Sequence, residues 1–323
     1  MTGGADVALD QELSGGYGAS LASSSGDLWV AATTNVAHVW HGTRVAHSVD
    51  VTGFQTGRPG IADHGATLRV GLWNIDVASG EVTGGPADVD WLTDAIDDGS
   101  VSSSDFSTPV VAHVLGSSLA VVQTQYLKPR GKQSERAKRY GGPKGQLLLV
   151  DVVAGSVVSV LVDDLDGGRV IVDTSSDLVV ATHRRHVDVW SSGGDRRGEW
   201  EVDEIVEAVA ISPEGLVTSL DRAGTISMFT PGGDRRHSWA AHDGHGAALA
   251  WHRSGGWLAS GSTSGDVVVW PGEDADGERT AARAPLGGYV LPSLAGLVSV
   301  GEDQLVVASG PVDQAMVMLA VRT

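Results

Sequence analysis

Ser-Ser-Gly-Gly-Asp-Arg-Arg-Gly-Glu-Trp, from Ser191 to Trp200, is followed 39 residues later by Thr-Pro-Gly-Gly-Asp-Arg-Arg-His-Ser-Trp, from Thr230 to Trp239. Each copy comes after an alternating, strand-like stretch that ends in an aromatic residue, Trp190 in one case and Phe229 in the other. A period near 40 residues, made of short strands and glycine turns, marks a β-propeller blade: one unit cannot bury both its faces alone and must stack on its neighbours. The repeat therefore speaks to architecture. It says much less about function, because propellers carry many unrelated activities.

The fullest unit runs from His242 to Pro271. It holds three apolar runs separated by glycine-bearing turns, Ala247–Trp251, Trp257–Ser260 and Val267–Trp270. With its leading His, its Leu-Ala-Ser-Gly-Ser strand end and its closing Trp, the segment resembles a WD-repeat blade. The resemblance covers residues 167–271 well, residues 14–42 fairly and residues 50–105 poorly. It implies that His242, Ser262 and Trp270 occupy the family's hydrogen-bonded network. The Asp that the family places in the tight turn is Ser264 here.

Aligning the closing residue extends the series. Leu28–Trp40 and Leu178–Trp190 match Leu258–Trp270 in length and alternation. Ile205–Phe229 contains Ser-Pro-Glu-Gly, an outer turn of the same kind. Gln146–Val160 and Leu68–Val82 each supply a strand, a glycine turn and a second strand. Third strands are thus expected to end near Trp40, Trp73, Val150, Trp190, Phe229, Trp270 and Leu319. The expectation is an all-β chain: one domain over residues 1–323, a seven-bladed β-propeller of four-stranded antiparallel blades. Asp6–Leu13 is expected to pair with the last blade and close the ring, which removes exposed sheet edges.

Composition narrows the function classes. There are 40 acidic and 22 basic residues, a net charge of −18, and no cysteine. Disulfide and thiolate chemistry are excluded. No basic-then-apolar leader and no apolar run near 18 residues occurs, so the expectation is a cytoplasmic protein with no membrane partner. An aspartate-rich, lysine-poor surface suits a halophilic cytoplasm or a GC-rich genome, and it repels nucleic acid at long range.

One segment inverts that charge. Lys128–Lys144 holds all four lysines, Arg130, Arg136 and Arg139, against one Glu135. It carries +6, which leaves −24 on the rest of a chain of net −18. Together with its flanks it forms an insertion over 127–145, placed between the second and third strands of a blade. A second insertion, 84–105, is acidic, with Asp88, Asp90, Asp94, Asp97, Asp98 and Asp105 around Trp91. Two readings stand for the basic loop. One is a clamp for an anionic partner (RNA, DNA or an acidic protein) through Lys128, Arg130, Lys132, Arg136, Lys138, Arg139 and Lys144, with Tyr140 stacking on a base. The other is a solvated loop docked on this protein's own acidic rim.

Other constellations are weaker. Arg196, Arg197, Arg235 and Arg236 are expected in turns after the third strands of adjacent blades, as a secondary patch opposite the basic loop. Trp200 and Trp239 are read as surface anchors, like Trp91. His183 and His186, or His242 and His245, do not supply the three or four convergent ligands of a metal site. Neither a Walker loop nor a glycine-flanked nucleophilic serine is present. No catalytic residue, metal or cofactor is assigned, and a quinone- or metal-dependent propeller enzyme stands only as a remote alternative. The function expected is a non-catalytic scaffold for protein–protein interaction, with RNA or ribonucleoprotein binding through the basic loop as the alternative.

Overall fold

A computed structural model describes residues 6–14, 20–23, 27–33, 36–51, 61–63, 67–70, 73–84, 111–115, 118–124, 145–165, 170–175, 177–272, 282–283, 294–309 and 316–322. These residues form seven antiparallel four-stranded sheets arranged as a seven-bladed β-propeller. Blade 1 comprises Ser20–Ser23, Leu28–Ala32, Val36–His41 and Arg44–Asp50. Blade 2 comprises Ile61–Asp63, Thr67–Val70, Trp73–Asp76 and Val82–Gly84, and blade 3 Val111–Leu115, Leu119–Thr124, Gly145–Asp151 and Ser156–Leu165. Blade 4 comprises Val170–Thr174, Leu178–His183, His186–Ser191 and Arg196–Glu201, and blade 5 Val206–Ile211, Val217–Asp221, Thr225–Phe229 and Arg235–Ala240. Blade 6 comprises Gly246–Trp251, Trp257–Ser262, Val267–Pro271 and Ala282–Arg283. Blade 7 is closed by both ends of the chain: Leu294–Val300, Gln304–Ser309 and Met316–Arg322 are completed by Asp6–Leu13, which pairs antiparallel with Met316–Arg322.

The core is a set of layers between blades. Leu28, Val30 and Val39 of blade 1 pack with Leu68, Val70, Trp73 and Ile75 of blade 2. Leu178, Val180 and Val189 of blade 4 pack with Val209, Val217 and Phe229 of blade 5. The second strands are covered on both faces, so Leu28–Ala32 and Trp257–Ser262 are buried at every residue. Such strands read as continuous apolar runs. Outer strands meet a neighbour on one side only, and Arg196–Glu201 and Arg235–Ala240 alternate between exposed and half-buried positions.

The repeated phrase is a device for joining blades. In the first copy, the Ser191 side chain accepts the Asp195 N–H at 3.1 Å. In the second, Thr230 does the same for Asp234 at 3.1 Å. Gly194 and Gly233, at φ 89° and 96°, complete the two turns. A side chain at either would collide with the outer strand of the preceding blade: a Cβ on Gly194 would lie 2.8 Å from Ser159 Cβ, and one on Gly233 2.9 Å from Trp200 Cε3. Trp200 in turn packs on Phe229, with ring centroids 5.1 Å apart. The far end of the first phrase therefore rests on the near end of the second. Trp239 repeats the step onto Trp270 of blade 6, at 5.5 Å.

One strand boundary differs from the sequence expectation. Trp73 begins the third strand of blade 2 instead of ending it. The reason is alternation: Trp73 shares a face with Ile75, Leu68 and Val70 in the layer against blade 1.

Candidate interaction surface

Strand direction places the two charged insertions. Thr124, the end of the second strand of blade 3, is paired opposite Gln146, next to the start of the third. Val111, where the first strand begins, is paired opposite Gln123. The chain thus enters blade 3 from the acidic connection at the same end where it leaves and re-enters around the basic one. Lys128, Arg130, Lys132, Arg136, Lys138, Arg139, Tyr140 and Lys144 themselves lie outside the described residues, as do the aspartates from Asp88 to Asp105 and Trp91.

On blades 4 and 5 the same end carries arginines engaged with the protein itself. Arg184 turns the chain at φ 56°. Arg185 donates Nε–H to the Val202 carbonyl at 2.9 Å. Arg222 pairs with Glu207 at 2.7 Å. His186, directly opposite His183 across the turn, lies 3.2 Å from Glu201. Burial pushes the Asp221 carboxyl above its ordinary value, and the Thr225 N–H, donated to it at 2.8 Å, works against that shift. Among the described residues no three His, Asp or Glu side chains converge as a metal site would require.

The arginine pairs occupy outer strands, not turns. Arg196 and Arg235 open those strands, and each lies over the closing aromatic of its own blade, Trp190 at 5.9 Å and Phe229 at 5.8 Å. Arg196 is further held by Asp188 at 2.6 Å and Glu199 at 2.8 Å, and Arg235 faces Asp203 at 3.6 Å. Arg197 and Arg236 sit at β-bulges, without an opposite residue, and are exposed. A bulge re-aims the side chain it carries. Trp200 and Trp239 are half-buried between blades and are not free surface anchors.

The network of blade 6 centres on Ser260. His242 Nε2 lies 2.9 Å from Ser260 Oγ, and Trp270 donates Nε1–H to the same oxygen at 2.8 Å. Ser262 faces the same way two residues on but serves the hairpin: its hydroxyl meets Ser264 at 2.7 Å and accepts the Asp266 N–H at 3.3 Å. The equivalent positions of blade 5 are Val202, Ser219 and Phe229, so blade 5 does not repeat the polar triad.

A feature that sequence reasoning missed lies on the rim of blade 3. Val153, Val158 and Val160 are the exposed large hydrophobic residues among those described, Val153 at 73%. They belong to the ten-residue outer strand Ser156–Leu165 and the turn before it. A register shift leaves Val158 without an opposite residue. The outer strands of blades 1, 4 and 5 begin with charges, Arg44, Arg196 and Arg235, which discourage edge pairing. The uncharged run Val157–Val162 was the available signal. Searched against models of known protein families, the chain matches none, and no curated protein matches it either.

Proposed function

We propose that this chain is a WD-repeat-like propeller working as a non-catalytic scaffold, with Lys128–Lys144 as a clamp for an anionic partner. The observation that supports this most is the concentration of unusual surface on blade 3. Its outer strand brings uncharged valines to solvent, where an extended segment of a protein partner finds both apolar contact and unpaired backbone groups. The two oppositely charged connections depart from that same blade. A rigid ring suits the role, because partners then meet a surface already organised and little ordering entropy is lost.

Affinity purification of the full chain from its native host, with and without nuclease, tests this reading. The scaffold reading expects a set of proteins that survives nuclease and is lost from a Val158→Lys/Val160→Lys variant. Retention of the same set by that variant refutes the blade 3 rim as the docking surface. The charge of the basic segment favours a second reading, RNA contact. It expects affinity to fall with salt, and the triple change Arg130→Ala, Arg136→Ala, Arg139→Ala to reduce the logarithmic salt slope by about 2, given ~0.7 per phosphate on single strands. An unchanged slope removes it.

A further inference from the structure

We infer that the ring has one breakable joint, between blades 2 and 3. Blade 2 is two-faced. Leu68, Val70, Trp73 and Ile75 are buried against blade 1. The alternate positions, Thr67, Arg69, Asn74 and Asp76, point the other way, and pairing of Thr67 with Asp76 and of Arg69 with Asn74 keeps the four on one face. Over the second and third strands that face is polar, and it looks toward blade 3.

Arg69 is the pivotal residue. It is 8% exposed, its Nη1 is buried with no hydrogen-bond partner, and its Nε reaches Asn74 Oδ1 only at 3.4 Å. Among the described residues no carboxylate comes within ion-pair distance of it. Blade 3 meets this face with Ala120, Val122, Leu148 and Val150, all buried and apolar. Its opposite face, through Val121, Leu147 and Leu149, is the one that packs with blade 4. Among the described residues, apolar clusters span the other six joints, from 7–1 and 1–2 to 3–4, 4–5, 5–6 and 6–7. At the 2–3 joint the cluster consists of blade 3 residues alone.

Asp151 of blade 3 favours the charged guanidinium, but burial of the group outweighs that attraction, and separating the two faces returns it to water. The same separation anywhere else exposes apolar surface on both sides. Opening at this joint leaves the pairing of Asp6–Leu13 with Met316–Arg322 intact, so the ring parts without unravelling.

Hydrogen–deuterium exchange of the full chain at low denaturant reads this directly, because local openings show as exchange insensitive to denaturant. Peptides covering Thr67–Val70 and Leu119–Val122 are expected to exchange at least about 10-fold faster than those covering Leu178–His183 and Val217–Asp221. Arg69→Met is expected to slow exchange at the joint by about 10-fold, the scale of relieving one buried unsatisfied group, with blades 4 and 5 unchanged. Equal protection of the 2–3 and 4–5 joints in the unaltered protein overturns the inference. So does faster exchange at the joint in Arg69→Met, which would make Arg69 a clamp instead of a weak point.

Discussion

Gly233→Ala tests whether the repeated phrase interlocks blades as described. Two separate costs are involved. At φ 96° an L side chain is strained, which costs about 1–2 kcal/mol. The added methyl also meets the indole of Trp200, 2.9 Å from Cε3 and 3.3 Å from Cδ2. That indole has little room to retreat, because Phe229 lies against it at 5.1 Å. Overpacking of this kind costs about 1–3 kcal/mol, for a total of about 2–5 kcal/mol. Gly42→Ala is the control. It has φ 56° but nothing within 4 Å of the new methyl, so only the backbone cost of about 1–2 kcal/mol applies. Trp200→Ala alone should cost about 2 kcal/mol, roughly half the figure for a fully buried aromatic, since Trp200 is half-buried. In the double variant the methyl enters the space the indole vacated, so the two losses should sum to about 1–3 kcal/mol more than is observed. Urea unfolding followed by far-ultraviolet dichroism gives all four values, with coincident near-ultraviolet transitions as the check on two-state behaviour. Additivity within about 0.5 kcal/mol, or a Gly233→Ala loss no larger than that of Gly42→Ala, refutes the interlock.

Two further outcomes are expected. Ser260→Ala removes the shared partner of His242 and Trp270 and should lower stability by about 2–3 kcal/mol, against about 1 kcal/mol for Ser262→Ala, as read from urea midpoints. A reversed order would place the network on Ser262. The pH dependence of the melting temperature should also report on His252. Burial holds its imidazole below the ordinary value of 6.5, nearby Arg253 adds to this, and the backbone of Gly301 and Glu302 opposes it. The folded state thus binds this proton less readily than the unfolded chain. The contribution of His252 is present at neutral pH and is lost as pH falls below about 6.5. His38 shifts in the same direction by burial. Asp188 and Asp221, raised by burial, act oppositely once carboxyls begin to protonate. His252→Phe, which keeps an aromatic ring against Trp257, should flatten the decline between pH 7 and pH 5; an unchanged slope would count against the assignment.

The fold was legible where two periodicities agree. The Gly-Gly-Asp-Arg-Arg spacing marked the blade period, and an apolar second strand such as Leu28–Ala32, buried at every residue, marked a blade's centre. Ring closure by Asp6–Leu13 was legible too, because an unpaired first strand in a closed ring has one place to go. Blade 2 was not, since its strands are only three or four residues long and too short to show a period. Ser260 and Ser262 could not be told apart in sequence: they lie two residues apart on one strand and share a face, and only the competing demand of the hairpin assigns Ser262 to the turn. Trp200 and Trp239 sit among charged residues and read as surface, yet the half-buried face of an outer strand is where the next blade arrives. The basic segment lies outside the described residues, and only its anchoring points are fixed.

The phrase carries a consequence for the whole ring. Its glycine end receives a side chain from the preceding blade, and its tryptophan end delivers one to the next. The copy in blade 4 receives Ser159 at Gly194 and delivers Trp200; the copy in blade 5 receives Trp200 at Gly233 and delivers Trp239 to Trp270. Two copies in series therefore link blades 3, 4, 5 and 6 into one arc. Within it, Ile211 N–H donates to Asp173 at 2.8 Å, and Trp251 Nε1–H to Thr218 at 3.0 Å, across successive joints. Blade 3 stands at the end of that arc, with the interlocked run on one side and the polar face of blade 2 on the other. A partner docking on the blade 3 rim thus meets the edge of the rigid sector beside the joint that opens most easily. Its binding free energy can then act on that joint, provided it binds the open and closed forms with different affinity.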